Sequence, residues 1–221
     1  KTPLTCALVD ALRIDGWHPG VISRGYGGNA DTARAVGIGD DPRVVGDEPL
    51  IFAAMAVPVW IGRDRVAAGA GLLAAYPECD VILADDGLQH YRLARAVEIA
   101  VIDDARGLGN GLLLSAGPLR EAPERLHEVD AVVRLMAPGT SPAPVTTGRA
   151  TQMQHVALPW RNLVDPARVA AVADWQGRDV HAVCGTGTPA RFFAILQAQG
   201  IVAHEHPLPD HHAYAPADIA F

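Results

Sequence analysis

The sequence has only three cysteines, Cys6, Cys79 and Cys184, and none forms a C-x-x-C pair. That argues against a disulfide framework or a thiolate zinc site, and a reducing compartment is expected. It also lacks a basic excess: 18 Lys and Arg against 25 Asp and Glu leave a net charge of -7. A duplex-binding surface needs clustered cations to neutralise phosphates, so no nucleic-acid partner is expected. No apolar run reaches the roughly 18 residues that a spanning helix needs. The nearest candidates are residues 49–62, which hold two prolines, and the shorter 66–76. No signal peptide is visible. The chain starts at Lys1 rather than Met, so upstream sequence is expected.

What is present is a large apolar fraction. Hydrophobic residues make up 49% and charged residues 19%, enough for a packed core over 221 residues. Residues 20–23, 57–61, 81–84, 98–102 and 131–135 are short, β-branched and bounded by turn residues, which predicts strands. Helical patterns at 3–14, 49–56 and 64–76 lie between several of them. This alternation predicts a parallel α/β sheet with helices on both faces. Residues 135–149 are rich in Pro, Gly, Ser and Thr and predict a linker, with an extended strand at 152–158. Beyond it, a strand at 181–184, a helix at 189–199 stopped by Gly200, and a strand at 201–206 predict a second β-α-β unit. The expected organisation is a first domain over 1–140, a linker with extended strands over 141–160, and a smaller second α/β domain over 161–221.

In an open parallel sheet, ligands bind beyond the carboxyl ends of the strands. The segments there are polar or glycine-rich: Ser23-Arg24-Gly25-Tyr26-Gly27-Gly28, Asp85-Asp86-Gly87, Asp103-Asp104, and Gly185-Thr186-Gly187-Thr188. An apolar strand ending in Asp85-Asp86 has the form that holds magnesium in nucleotide-binding enzymes, though Asp followed by Gly also suits a turn. Asp103-Asp104 has the same form, and the pattern alone does not choose between the two pairs. Lys1-Thr2 opens a helix, as the last two positions of a Walker A loop do, where Lys reaches phosphate and the hydroxyl reaches Mg²⁺. The dipeptide alone carries almost no information, and an ordinary charged chain start is its simplest reading. Asp47-Glu48-Pro49 stands at a helix start, either as a cap on the positive end of the dipole or as a base for a substrate hydroxyl. The loop at 23–28 either binds phosphate or turns the chain. Arg120-Glu121 is either a solvent salt bridge or a phosphate clamp. The segment at 204–212 holds four of the nine histidines. On an extended strand His204 and His206 share a face, and three readings stay open: a surface strand, a catalytic Asp-His pair and a zinc site.

Taken in order, these segments resemble the tetraacyldisaccharide 4'-kinase family. They are Lys1-Thr2-Pro3, SRGYGG at 23–28, VGDEP at 45–49, DDGLQH at 85–90, GPLRE at 117–121, ARFF at 190–193 and PDHHAY at 209–214. The likeness covers almost the whole chain. Gly185-Thr186-Gly187-Thr188-Pro189 departs from the family's G-I-G-N-P turn in two positions. The glycines before the Lys, an N-terminal membrane-associating helix and a C-terminal segment, all part of the family pattern, are expected outside this chain.

The resemblance implies a P-loop-type kinase that moves the γ-phosphoryl group of ATP, with Mg²⁺, to the 4'-hydroxyl of an acylated glucosamine disaccharide 1-phosphate. It implies work at the cytoplasmic face of the bacterial inner membrane, gripped through the N-terminal segment. Lys1 and Thr2 would bind ATP, and Thr2, Asp85 and Asp86 would serve the metal. Asp47 would activate the sugar hydroxyl, helped by His211, with Lys1 completing the catalytic set. Ser23, Arg24, Gln89, His90, Arg120, Glu121 and Asp210 would line the site. The alternative is a P-loop NTPase that drives a protein partner and has no lipid substrate, and a further one is a His-rich metal-binding module.

Overall fold

The computed structural model describes residues 1–29, 31–136, 150–156 and 158–221. Most of the predicted linker, and Ala157 of the predicted strand at 152–158, lie outside these residues. The described residues form two compact units, Lys1–Glu98 and Ile99–Phe221.

The first unit is built on strands β1 (Pro19–Ser23), β2 (Arg34–Ala35), β3 (Val59–Ile61) and β4 (Val81–Ala84), in the order β2-β3-β1-β4. β1 runs parallel to both β3 and β4, and only the two-residue edge strand β2 is antiparallel. Every residue of β1 is buried, as a strand covered on both faces requires. Val21 packs with Val9 and Phe52 on one face, while Ile22 packs with Ala68 and Leu72 on the other. Those partners come from helices α1 (Thr2–Ile14), α3 (Glu48–Ala54) and α4 (Arg65–Ala75). The alternation along one strand therefore fixes which helix covers which face. The one-turn helix α2 (Pro42–Val45) completes the unit.

Each helix starts where local chemistry allows. Asp64 accepts hydrogen bonds from the Val66 and Ala67 amides at 2.9 and 3.3 Å and caps α4. Asp47 accepts from the Glu48 amide at 2.9 Å and caps α3. α3 stops at Ala54, two residues before the expected end, because Ala56 takes a left-handed φ of 54°. β3 starts at Val59 rather than 57; Pro58 carries no amide hydrogen for the ladder.

The second unit contains a parallel three-stranded sheet of β5 (Ile99–Asp103), β6 (Ala131–Leu135) and β7 (Ala150–Met153). β7 lies earlier than the strand predicted at 152–158. A two-residue antiparallel ribbon of β8 (Trp160–Arg161) and β9 (Val169–Ala170) follows. The predicted β-α-β unit is β10 (Val180–Cys184), α5 (Pro189–Ala198) and β11 (Ala203–Pro207), with β10 and β11 parallel. Phe193 and Leu196 of α5 close its core against Val180, Ala182 and Ile201. No helix among the described residues is long and apolar enough to cross a membrane.

Candidate active site

In the first unit, three chain ends converge beyond the carboxyl edge of the sheet: the start of α1, the start of α3 and the end of β4. Lys1 Nζ lies 2.5 Å from Asp86 Oδ1, a half-exposed ion pair. The Thr2 hydroxyl donates to Glu48 Oε1 at 3.1 Å. One turn further along α1, the buried Thr5 hydroxyl donates to Asp85 Oδ1, also at 3.1 Å. Asp85 is 3% exposed. Burial, and then the neighbouring Glu48 carboxylate, push its carboxyl above the ordinary range against the pull of the Thr5 hydrogen bond. Asp86 sits at a φ of 51°, a left-handed turn that Asp tolerates better than most residues and that swings its carboxylate toward Lys1.

The glycine loop after β1 packs against the junction of α2 and α3. Gly46 has a φ of 84°, and a Cβ there would stand 2.5 Å from the Tyr26 carbonyl oxygen. A Cβ on Gly28 would run into the Val44 carbonyl. Both glycines are thus required by backbone approach alone. That approach seats the loop of Ser23 and Arg24 beside the turn that carries Asp47 and Glu48. Ser23 is buried, whereas Arg24 and Asp47 are exposed. Gln89 is exposed beyond β4, and His90 is half-buried, its Nε2 3.8 Å from Asp64 Oδ1.

Two residues of this cluster carried no site prediction. Glu48 was visible only as a helix-start acid, yet it holds Thr2 and raises Asp85. Arg65 is 4% exposed; one guanidinium nitrogen donates to the Gly62 carbonyl at 2.7 Å, and its Nε is buried with no hydrogen-bond partner. Burial, then repulsion from Arg24, lower its pKa, while Asp86 and Asp85 oppose the shift. The available signal was local: a cation in the first turn of α4 opposes the helix dipole, an arrangement expected only where something else rewards it.

In the second unit the other acid pair has arginine partners. Asp103 is bound by the Arg191 guanidinium, and Asp104 accepts from Arg134 Nε at 2.8 Å. Both acids are engaged by arginines of their own unit, unlike Asp85 and Asp86, which face a helix start. Glu121 pairs with Arg125 at 3.2 Å, one helical turn along, and Arg120 is exposed. The PDHHAY segment lies over the glycine turn that follows β10. Tyr214 Oη accepts from the Gly185 amide at 2.8 Å, and a Cβ on Gly187 would stand 2.9 Å from Asp210 Oδ2. His211 has a φ of 56°, with its Nε2 3.7 Å from Asp210 Oδ2. His212 bonds Asp218 at 2.9 Å.

A parallel sheet with helices on both faces, and a Lys-Thr helix start facing a strand-end acid pair, define an α/β protein of the P-loop type. The sequence profile of the tetraacyldisaccharide-1-P 4'-kinase family, LpxK, matches residues 1–221. The chain belongs to that family. It is 52% identical over its full length to a tetraacyldisaccharide 4'-kinase of Azoarcus sp. and 51% identical over 99% of its length to that of Chromobacterium violaceum. It spans 64% and 65% of those two relatives. Among solved structures it is similar to the "apo" form of LpxK from Aquifex aeolicus in complex with ATP, at 26% identity and a TM-score of 0.75. That match covers 97% of this chain and 69% of the other.

Proposed function

We propose that the protein to which this chain belongs transfers the γ-phosphoryl group of ATP to the 4'-hydroxyl of a tetraacyldisaccharide 1-phosphate in lipid A biosynthesis. The observation that carries the proposal is the Lys1–Asp86 approach beside the buried Thr5–Asp85 bond, within a chain whose whole length matches one kinase family. Lys1 and Thr2 bind the nucleotide phosphates. The carboxylates of Asp85 and Asp86 and the Thr2 hydroxyl are hard oxygen donors, and a buried carboxyl pushed up by burial is one that a divalent cation would suit. These residues fit Mg²⁺, which when bound spreads the charge on the transferring phosphoryl group. Arg65 adds a fixed cation with an unsatisfied donor.

Asp47 takes the proton of the acceptor hydroxyl, and His211 assists. Ser23, Arg24, Gln89, His90, Arg120, Glu121 and Asp210 serve substrate or nucleotide. The organisation proposed is a P-loop kinase domain over 1–140, a β linker over 141–160 and a second α/β domain over 161–221. The setting is the cytoplasmic face of the inner membrane, reached through a segment preceding Lys1.

The test uses the full-length protein with labelled ATP and the disaccharide lipid, read by thin-layer chromatography. Label on the lipid supports the kinase; label released only as free phosphate supports an NTPase and overturns the proposal. Asp47→Ala and His211→Ala should each lower turnover about 10²–10⁴-fold, the usual worth of general-base help, with little change in ATP affinity. Near-normal turnover in both removes their assignment.

A further inference from the structure

Three histidines of the second unit, His181, His204 and His206, assemble into a cluster that the proposed kinase chemistry does not use. β10 and β11 pair in parallel with His181 opposite His204 and Val183 opposite His206. Side chains two apart on a strand share a face, so Asp179 and His181 line one rail and His204 and His206 the other. The side chains meet. His204 Nε2 lies 2.8 Å from Asp179 Oδ1, and His181 Nδ1 lies 2.9 Å from His206 Nε2. One ligand atom from each of Asp179, His181 and His204 falls within 4.8 Å of the other two. The His181 ring stacks on those of His204 and His206 at centroid distances of 4.7 and 5.1 Å, and Phe221 lies flat against His181 and His206.

We infer that Asp179, His181 and His204 form a cross-strand site for a divalent transition ion of the zinc type, with His206 orienting His181. Two imidazoles and a carboxylate are the donor set that Zn²⁺ takes, and they do not suit magnesium or calcium, which prefer all-oxygen shells. Zinc–ligand bonds of about 2.0–2.1 Å need donor atoms roughly 3.3 Å apart in a tetrahedron. Rotamer adjustment of exposed side chains on a fixed ladder covers the difference. Each imidazole has two nitrogens, so when His181 Nδ1–H donates to His206 Nε2 the lone pair on His181 Nε2 is left for the metal. The fourth position is open to solvent, because the residues of the triad are all exposed. The site ties together two strands separated by a full helix in sequence, so the ion acts as a clip on the β10–β11 pair.

The experiment is zinc titration of metal-free, full-length protein by calorimetry, alongside thermal melts with and without zinc. One zinc per chain is expected to bind through this site, with a thermal midpoint that rises with zinc concentration. The double variant His181→Asn/His204→Asn should weaken that binding by at least about tenfold and abolish the shift. His18→Asn, which disrupts an exposed His–Asp pair at 3.2 Å in the first unit, should change neither. Zinc held by other parts of the protein appears equally in all variants and cancels in the comparison. Circular dichroism checks the double variant's fold, and His204→Gln alone serves if it fails to fold. Equal zinc affinity and an equal melting shift in wild type and in the folded variant overturn the inference, as does the absence of binding in wild type.

Discussion

Replacing Asp85 with Asn should leave the metal-free protein no less stable while removing the kinase activity proposed above. Asp85 is buried, and its carboxylate accepts a hydrogen bond from the Thr5 hydroxyl at 3.1 Å. The amide oxygen of Asn can accept the same bond, so the ~0.5–1.5 kcal/mol of a neutral hydrogen bond is retained. The negative charge is removed, and with it the burial and Glu48 repulsion that raise the carboxyl's pKa. The direction with pH follows. A carboxyl whose pKa is higher folded than unfolded binds its proton more tightly in the folded state, so this group costs stability as pH rises from the unfolded value, about 3.9, through the folded one. Below that window the Asn variant and the wild type should be equally stable. Above it the variant should gain, at ~1.4 kcal/mol for each unit of displacement. In a chain of this size each kcal/mol moves the midpoint by roughly 2–4 °C. Asp85→Ala is the contrasting control, because it leaves the buried Thr5 hydroxyl without an acceptor and should cost about 1–3 kcal/mol. Thermal melts from pH 4 to 8 in chelator, followed by melts with Mg²⁺ and ATP, read all of these. Wild type should be stabilised by the ligands and Asp85→Asn should not. If Asp85→Asn is destabilised throughout and its deficit does not shrink with rising pH, the charge is compensated in the fold and the reasoning fails.

Other predictions follow from single contacts. Gly46→Ala places a methyl group against the Tyr26 carbonyl at a positive φ and should cost at least ~2 kcal/mol, seen as a lower denaturation midpoint. Arg65→Met keeps most of the buried volume, so stability should change little, while ATP-dependent turnover should fall roughly 10–100-fold, the worth of a ~1.5–3 kcal/mol charge-assisted hydrogen bond. Unchanged turnover would mean that Arg65 is structural. Arg13 donates to the Met55 and Ala56 carbonyls at 2.7 and 2.6 Å, closing the end of α3. Arg13→Ala should therefore destabilise by about 1–3 kcal/mol in chemical denaturation.

The elements that were legible in the sequence are those whose signal is local. β1, β4 and α4 have clean apolar runs, and Asp64 announces a helix start that the structure keeps. The two-residue strands β2, β8 and β9 have no period to read, and they exist only because a partner strand is present. The site divides in the same way. The pairing of α1's start with the acidic end of β4 follows from parallel topology, since both lie at the carboxyl edge. The difference between Asp85-Asp86 and Asp103-Asp104 does not, because the two strands read alike. The arginine partners of the second pair, Arg191 and Arg134, appear only in the structure. Glu48 and Arg65 were hidden for a related reason. Each has an ordinary surface reading in sequence, and only tertiary contact brings Glu48 to Thr2 and buries Arg65. His181 illustrates the same limit: His204 and His206 could be placed on one face from spacing, but their third partner lies across the ladder.

The first unit's polar cluster satisfies itself in two tiers that differ in cost. Thr5 and Asp85 are both buried, and breaking their bond strands a donor or an acceptor out of reach of water. Lys1 and Asp86 are half-exposed, and an ion pair in that position is worth about 0–1 kcal/mol because water and salt replace it readily. An incoming phosphate can therefore take Lys1 from Asp86 at little cost, whereas Asp85 stays where β4 and α1 hold it. The same division applies to Thr2, which is part-buried and must trade Glu48 for any new partner. Exchangeable groups at the rim and a fixed carboxylate beneath them are what a nucleotide site needs: ligand affinity is not spent on breaking strong contacts, and the acid below is preorganised before the ligand arrives.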